Sequence, residues 1–163
     1  MLPTLYQYLF MITLPDEVAA EITAFKKELA EQIGPFMSLE STPHITIGSI
    51  LVYEHKEDQL LKRIEFLCSQ TAPMNIVLDG FSCFKYHTVF ARLNQMETTR
   101  QLMNDCREAV RGFPSKGGWE PKVRNPHLTI GRELGEHFHT ANDLFKDKSF
   151  HGSFEANNMT VRK

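Results

Sequence analysis

The sequence predicts an α+β fold, one domain over residues 1–163, built from two duplicated lobes. Three observations carry that expectation. A six-residue phrase is written twice, as Pro43-His44-Ile45-Thr46-Ile47-Gly48 and as Pro126-His127-Leu128-Thr129-Ile130-Gly131. Strand-like and helix-like apolar patterns alternate in a similar order around each copy. The 163 residues suffice for one substantial core, with no linker or low-complexity stretch to divide them.

The elements follow in order. Leu5 to Leu14 is rich in aromatic and branched residues and reads as a strand ended by Pro15-Asp16. Val18, Ile22, Phe25, Leu29 and Ile33 then recur at steps of three and four, one face of a helix that Gly34-Pro35 stops. The first hexapeptide opens a strand that runs to about Tyr53. Leu60, Leu61, Ile64, Leu67 and Cys68 mark a second helix. Ile76 to Leu78 and Thr88 to Leu93 read as strands separated by Asp79-Gly80 and by the Lys85 to His87 region. Met96 to Phe113 reads as a third helix, with Leu102, Cys106, Ala109 and Val110 turned inward. The Pro, Gly and Lys content of residues 112–125 predicts a loop. The second hexapeptide strand, a short helix around Phe138 to Phe145 and a closing strand from Phe150 to Val161 complete the chain.

Composition narrows the function. A net charge of −2 argues against holding long nucleic acid through many phosphate contacts, although a few placed donors suffice for a small phosphate ligand. Cys68, Cys83 and Cys106 are odd in number and far apart, which fits free thiols rather than a disulfide framework or a zinc site. The opening seventeen residues lack the basic start of a secretory signal and are too short and polar to span a bilayer. A cytoplasmic protein without a membrane partner or an evident obligate protein partner is expected.

The repeated phrase carries the chemistry. Side chains alternate across a strand, so His44 and Thr46 share one face while Ile45 and Ile47 anchor the other. His127 and Thr129 repeat the arrangement over Leu128 and Ile130. One His-x-Thr in a strand is ordinarily a half-buried histidine beside a β-favouring threonine. Two copies at matching places of a duplicated lobe point instead to one shared cleft. Two imidazoles supply a base and an acid near neutral pH, and two hydroxyls supply donors for phosphate oxygens. That inventory suits hydrolysis of a phosphodiester, with no metal or other cofactor expected.

This pair of His-apolar-Thr-apolar motifs, about eighty residues apart, resembles the signature of the 2H phosphoesterase superfamily, in particular its LigT-like 2′-5′ RNA ligase and RNA 2′,3′-cyclic phosphodiesterase branch. The resemblance implies antiparallel sheets with flanking helices around a central cleft. It implies His44, Thr46, His127 and Thr129 as catalytic residues, with His127 the base and His44 the acid. It further implies opening of 2′,3′-cyclic phosphates on RNA ends or small cyclic nucleotides, usually to 2′-phosphates, and in some members 2′-5′ RNA ligation. Arg132 matches an arginine often found after the second motif. Ser49-Ile50-Leu51-Val52 departs from the family's usual run after the first.

Further substrate contacts are expected from Trp119, read as exposed in its Gly-rich loop, and from Tyr86 in a turn, either of which would stack on a base. Phe84 reads equally well as packing. Lys116, Lys122 and Arg124 are candidates for phosphate contact, although loop cations are ordinarily solvated. His137 and His139 do not share a helix face and carry no metal-site spacing. Alternative readings keep the same site but give it an ADP-ribose cyclic phosphate or a short oligonucleotide, or make it a phosphate- or RNA-binding module without chemistry.

Overall fold

Each hexapeptide becomes a strand near the middle of a curled antiparallel sheet. The computed structural model describes residues 1–121 and 125–163. Its strands are β1 (Leu5–Thr13), β2 (His44–Tyr53), β3 (Met74–Phe84), β4 (Thr88–Asn94), β5 (Lys116–Glu120), β6 (Leu128–Gly131), β7 (His151–Ala156) and β8 (Thr160–Arg162). Its helices are α1 (Asp16–Ile33), α2 (Glu57–Ser69), α3 (Glu97–Ala109) and α4 (Phe138–Phe145). The sheet order is β7-β3-β4-β6-β2-β1-β8, with β5 paired to β2 beside it.

The chain order β1-α1-β2-α2 recurs as β4-α3-β5-β6-α4, with β5 inserted, but the helices are exchanged between the halves of the sheet. Helix α1 packs on α4 and β6, whereas α3 packs on α2 and β2. The two expected sheets are continuous through the β2–β6 pair. One apolar cluster therefore runs beneath both, including Phe10, Ile45, Ile47, Leu128, Ile130 and Phe145.

Several boundaries differ from the sequence reading, each for a pairing reason. Asp79-Gly80 does not separate strands; it is a bulge inside β3, where the register with β4 slips between Leu78 and Phe81. Part of the expected 112–125 loop is β5, recruited by pairing of Glu120 with Ser49 and Lys116 with Leu51. The closing strand is two strands on opposite edges of the sheet, β7 on β3 and β8 on β1. Four Cα steps join Ala156 to Thr160, at most about 15 Å. The sheet must therefore curl until its edges nearly meet, and its inner surface is concave.

Candidate active site

Strand alternation builds the concave wall. Ile45, Ile47, Leu128 and Ile130 are fully buried on the helix side, while His44, Thr46, His127 and Thr129 are half-buried on the other. Strands β2 and β6 run antiparallel, with Ile45 opposite Leu128. That single pair brings the two motifs side by side. His127 lies one residue before β6, on the same side of the cleft wall as Thr129. All four motif residues line one open cleft of about 800 Å³, together with Ser38, Ser41, Ser49, Phe84, Thr88, Arg132 and Arg162 among others.

Both imidazoles are oriented by the same local device. His44 Nδ1 lies 2.8 Å from the Thr42 carbonyl oxygen, and His127 Nδ1 lies 2.7 Å from that of Asn125. A carbonyl only accepts, so Nδ1 carries the hydrogen in each ring and Nε2 is left for chemistry. Among the described residues, neither threonine hydroxyl has a hydrogen-bond partner, so both are available to a ligand. Desolvation holds both imidazoles below the usual histidine pKa, against the opposing pull of the carbonyl bonds. For His44, Arg162, Lys26 and Arg132 depress it further.

The rest of the lining differs between the halves. Phe84 meets the His127 ring edge to face at 4.9 Å, and Phe90 lies 5.1 Å from it. On the His44 side, Gln7 Nε2 donates to Ser49 Oγ at 3.3 Å, and Arg162 pairs across β8 with Leu9, on the cleft face of β1. A bulge between Phe10 and Met11 resets the alternation, so that Ser49 rejoins the face of His44 and Thr46.

The 2′-5′ RNA ligase superfamily model matches residues 14–163. The chain belongs to that superfamily, and its fold is LigT-like. E. coli LigT in its apo form superposes with a TM-score of 0.69 at 18% identity, over 97% of this chain and 86% of that one. The MHV ns2 PDE domain gives 0.68 at 14%, over 96% and 99%. TT0787 of Thermus thermophilus gives 0.64 at 18%, over 96% and 87%. E. coli LigT has been crystallised with 3′-AMP, NADP+, ATP and phosphate. No curated protein matches the sequence. Membership in the superfamily is consistent with phosphodiesterase activity.

Two expected contacts need correction. Trp119 is not an exposed stacking platform: it is 5% exposed, 5.5 Å from the Phe10 ring, in the core. Strand β5 turns its indole onto Gly48, where any Cβ would overlap the ring. The glycine that closes the first hexapeptide thus makes room for a tryptophan. Tyr86 is exposed, but packs on Phe138 and His139 and is not among the residues lining the cleft. Phe84, among the described residues, does line it. Arg132 does line the cleft. Lys116 lies in β5, and Lys122 and Arg124 fall outside the described residues. No helix among the described residues is long and apolar enough to cross a membrane, and no three His, Cys, Asp or Glu residues there are grouped as metal ligands.

Sequence reasoning missed Arg162 and Lys26. Arg162 carries no local signal, because the β1–β8 pairing alone brings it to the cleft. Lys26 did leave one: it sits four residues after Ile22 and three before Leu29, on the apolar face of α1.

Proposed function

We propose that this protein hydrolyses 2′,3′-cyclic phosphates of RNA ends or small nucleotides by acid–base catalysis between His127 and His44. The observation that carries this reading is the matched pair of Nδ1–H bonds to carbonyls two residues back, which leaves two Nε2 atoms for one cleft. The scissile phosphate lies between the motifs. Thr46 and Thr129 hydroxyls donate to its non-bridging oxygens, and the Arg132 guanidinium adds positive charge as negative charge builds there.

His127 Nε2 takes a proton from water as the water oxygen forms its bond to phosphorus. The bond from phosphorus to the ribose 3′ oxygen breaks, and that oxygen takes the proton from His44 Nε2. The product is a 2′-phosphomonoester with a free 3′ hydroxyl, and a proton exchange with solvent resets the pair. No metal ion is assigned a role in these steps. The cations beside His44 oppose its protonation in the empty cleft. A phosphate placed among them adds the negative charge that restores it as an acid.

Phosphorus NMR of purified protein with 2′,3′-cyclic mononucleotides and a cyclic-phosphate-ended oligonucleotide tests the reading. Conversion to the 2′-phosphate in saturating EDTA supports it. Retention of binding without conversion would leave a phosphate-binding module.

A further inference from the structure

We infer that Arg162 forms a second anion subsite, so that the preferred substrate carries another phosphate besides the scissile one; this rests on the function proposed above. Arg132 follows β6 directly and stands near the start of β2, beyond His44. Arg162, opposite Leu9, is level with Ser49, beyond Thr46 and two strands from β2, about 10 Å laterally. Both arginines line the cleft, but from opposite ends of β2, so a ligand longer than one phosphate can meet each of them separately. Neighbouring Lys163 is committed, its Nζ 2.7 Å from Glu57 Oε2 and 3.4 Å from Glu54 Oε1. Among the described residues the Arg162 guanidinium has no such partner.

The second phosphate is either the 5′-terminal group of a nucleotide or the internucleotide linkage of an RNA end. Three probes separate these sources: a 2′,3′-cyclic nucleotide with a 5′ hydroxyl, the same with a 5′ phosphate, and a dinucleotide ending in the cyclic phosphate. Wild type should favour one or both phosphate-bearing probes. Arg162→Gln should lower kcat/KM for the favoured probe by about 10-fold or more, and far less for the 5′-hydroxyl nucleotide. Equal losses on all three probes, or none, would overturn the subsite. Calorimetric binding of the same probes to His127→Ala protein reads the preference as Kd, so the subsite is judged even if no probe is hydrolysed.

A separate observation concerns the cleft wall. Lys26 is 1% exposed, and its Nζ donates to the Ser38 carbonyl at 3.0 Å, the Ser41 carbonyl at 2.8 Å and Ser41 Oγ at 3.2 Å. Ser38 Oγ in turn donates to the Ile130 carbonyl at 2.9 Å, in the strand of Thr129. The next residue after Ser41 is Thr42, whose carbonyl orients His44. The geometry points to Lys26 as a positioning residue that ties both motif strands to α1. Burial of an ammonium is costly, which lowers its pKa to about 8, and three acceptors compensate it.

Lys26→Met removes the donors at similar volume. The expected result is a fall in kcat of about 10–100-fold with little change in KM. Nitrogen-15 shifts of the His44 ring should move from a single Nδ1–H tautomer towards a mixture. Should that variant not fold, Ser41→Ala removes one acceptor and should move both readouts in the same direction, less far. Unaltered kcat and an unaltered His44 tautomer in a folded variant would reduce Lys26 to a packing role.

Discussion

His44 and His127 make the same hydrogen bond, two residues back, from equivalent places in the two hexapeptides, yet their surroundings differ. His44 is surrounded by the charges of Lys26, Arg132 and Arg162. His127 lies against the rings of Phe84 and Phe90, and burial is the main force on both pKa values, with the cations a further one at His44 alone. The lesson is that matching scaffolds need not give matching electrostatics. Backbone geometry presents two similar imidazoles, and the flanking strands distinguish them.

The largest expected effects test whether the two rings work as a pair. His44→Ala and His127→Ala should each lower turnover by about 100-fold or more. A diester with a p-nitrophenolate leaving group has little need of an acid, so it should rescue His44→Ala far more than His127→Ala. Rescue in the opposite order would exchange the roles.

The closing glycines sharpen the same comparison. A Cβ at Gly48 overlaps the Trp119 indole, whereas one at Gly131 meets the tips of Leu29 and Leu134 at 3.0 and 3.2 Å, side chains able to shift. Gly48→Ala should therefore cost more stability than Gly131→Ala, the latter within the roughly 1–3 kcal/mol of ordinary overpacking. Trp119→Ala should cost about 3–5 kcal/mol in denaturant unfolding, as for a buried aromatic. A mild loss there with a large rise in KM would return Trp119 to the substrate.

Thr46→Ala and Thr129→Ala should each slow turnover by about 10–100-fold, the cost of one hydrogen bond to a charged group. Equal losses fit a phosphate held symmetrically, whereas a tenfold disparity between them would place it against one motif.

The smallest effects are those of pH. With both imidazoles held below about 6.5, kcat/KM should peak on the acid side of that value, because it reports the free enzyme. The kcat optimum should lie higher, since bound phosphate favours protonated His44. Stability follows the same sign. The unfolded histidines bind protons that the native rings resist, so the contribution is full above about pH 6.5 and is lost as pH falls through the lowered native values. A melting temperature insensitive to pH between 7 and 5.5 would contradict the depression.

Local pattern made the motifs legible. Period-two alternation gave the faces of His44, Thr46, His127 and Thr129, and steps of three and four gave α1 to the residue. What remained hidden depends on pairing between distant segments. Trp119 lies in a Gly-rich stretch that reads as a loop, and only its ladder with β2 buries it. Arg162 reaches the cleft because β8 leaves the edge where β7 ends and pairs with β1 instead. Tyr86 and Phe84 stand two residues apart in one hairpin, and the contacts with α4 that hold Tyr86 away are not written in local sequence.

The central claim is that two imidazoles in one cleft open a cyclic phosphate without help from a metal ion. Phosphorus NMR of a 2′,3′-cyclic mononucleotide with wild type, His44→Ala and His127→Ala protein, all in saturating EDTA, tests it most directly. The account predicts steady conversion to the 2′-phosphate by wild type and about 100-fold or slower conversion by either variant. Wild-type rates in both variants, or activity abolished by EDTA and restored by one divalent metal, would contradict it.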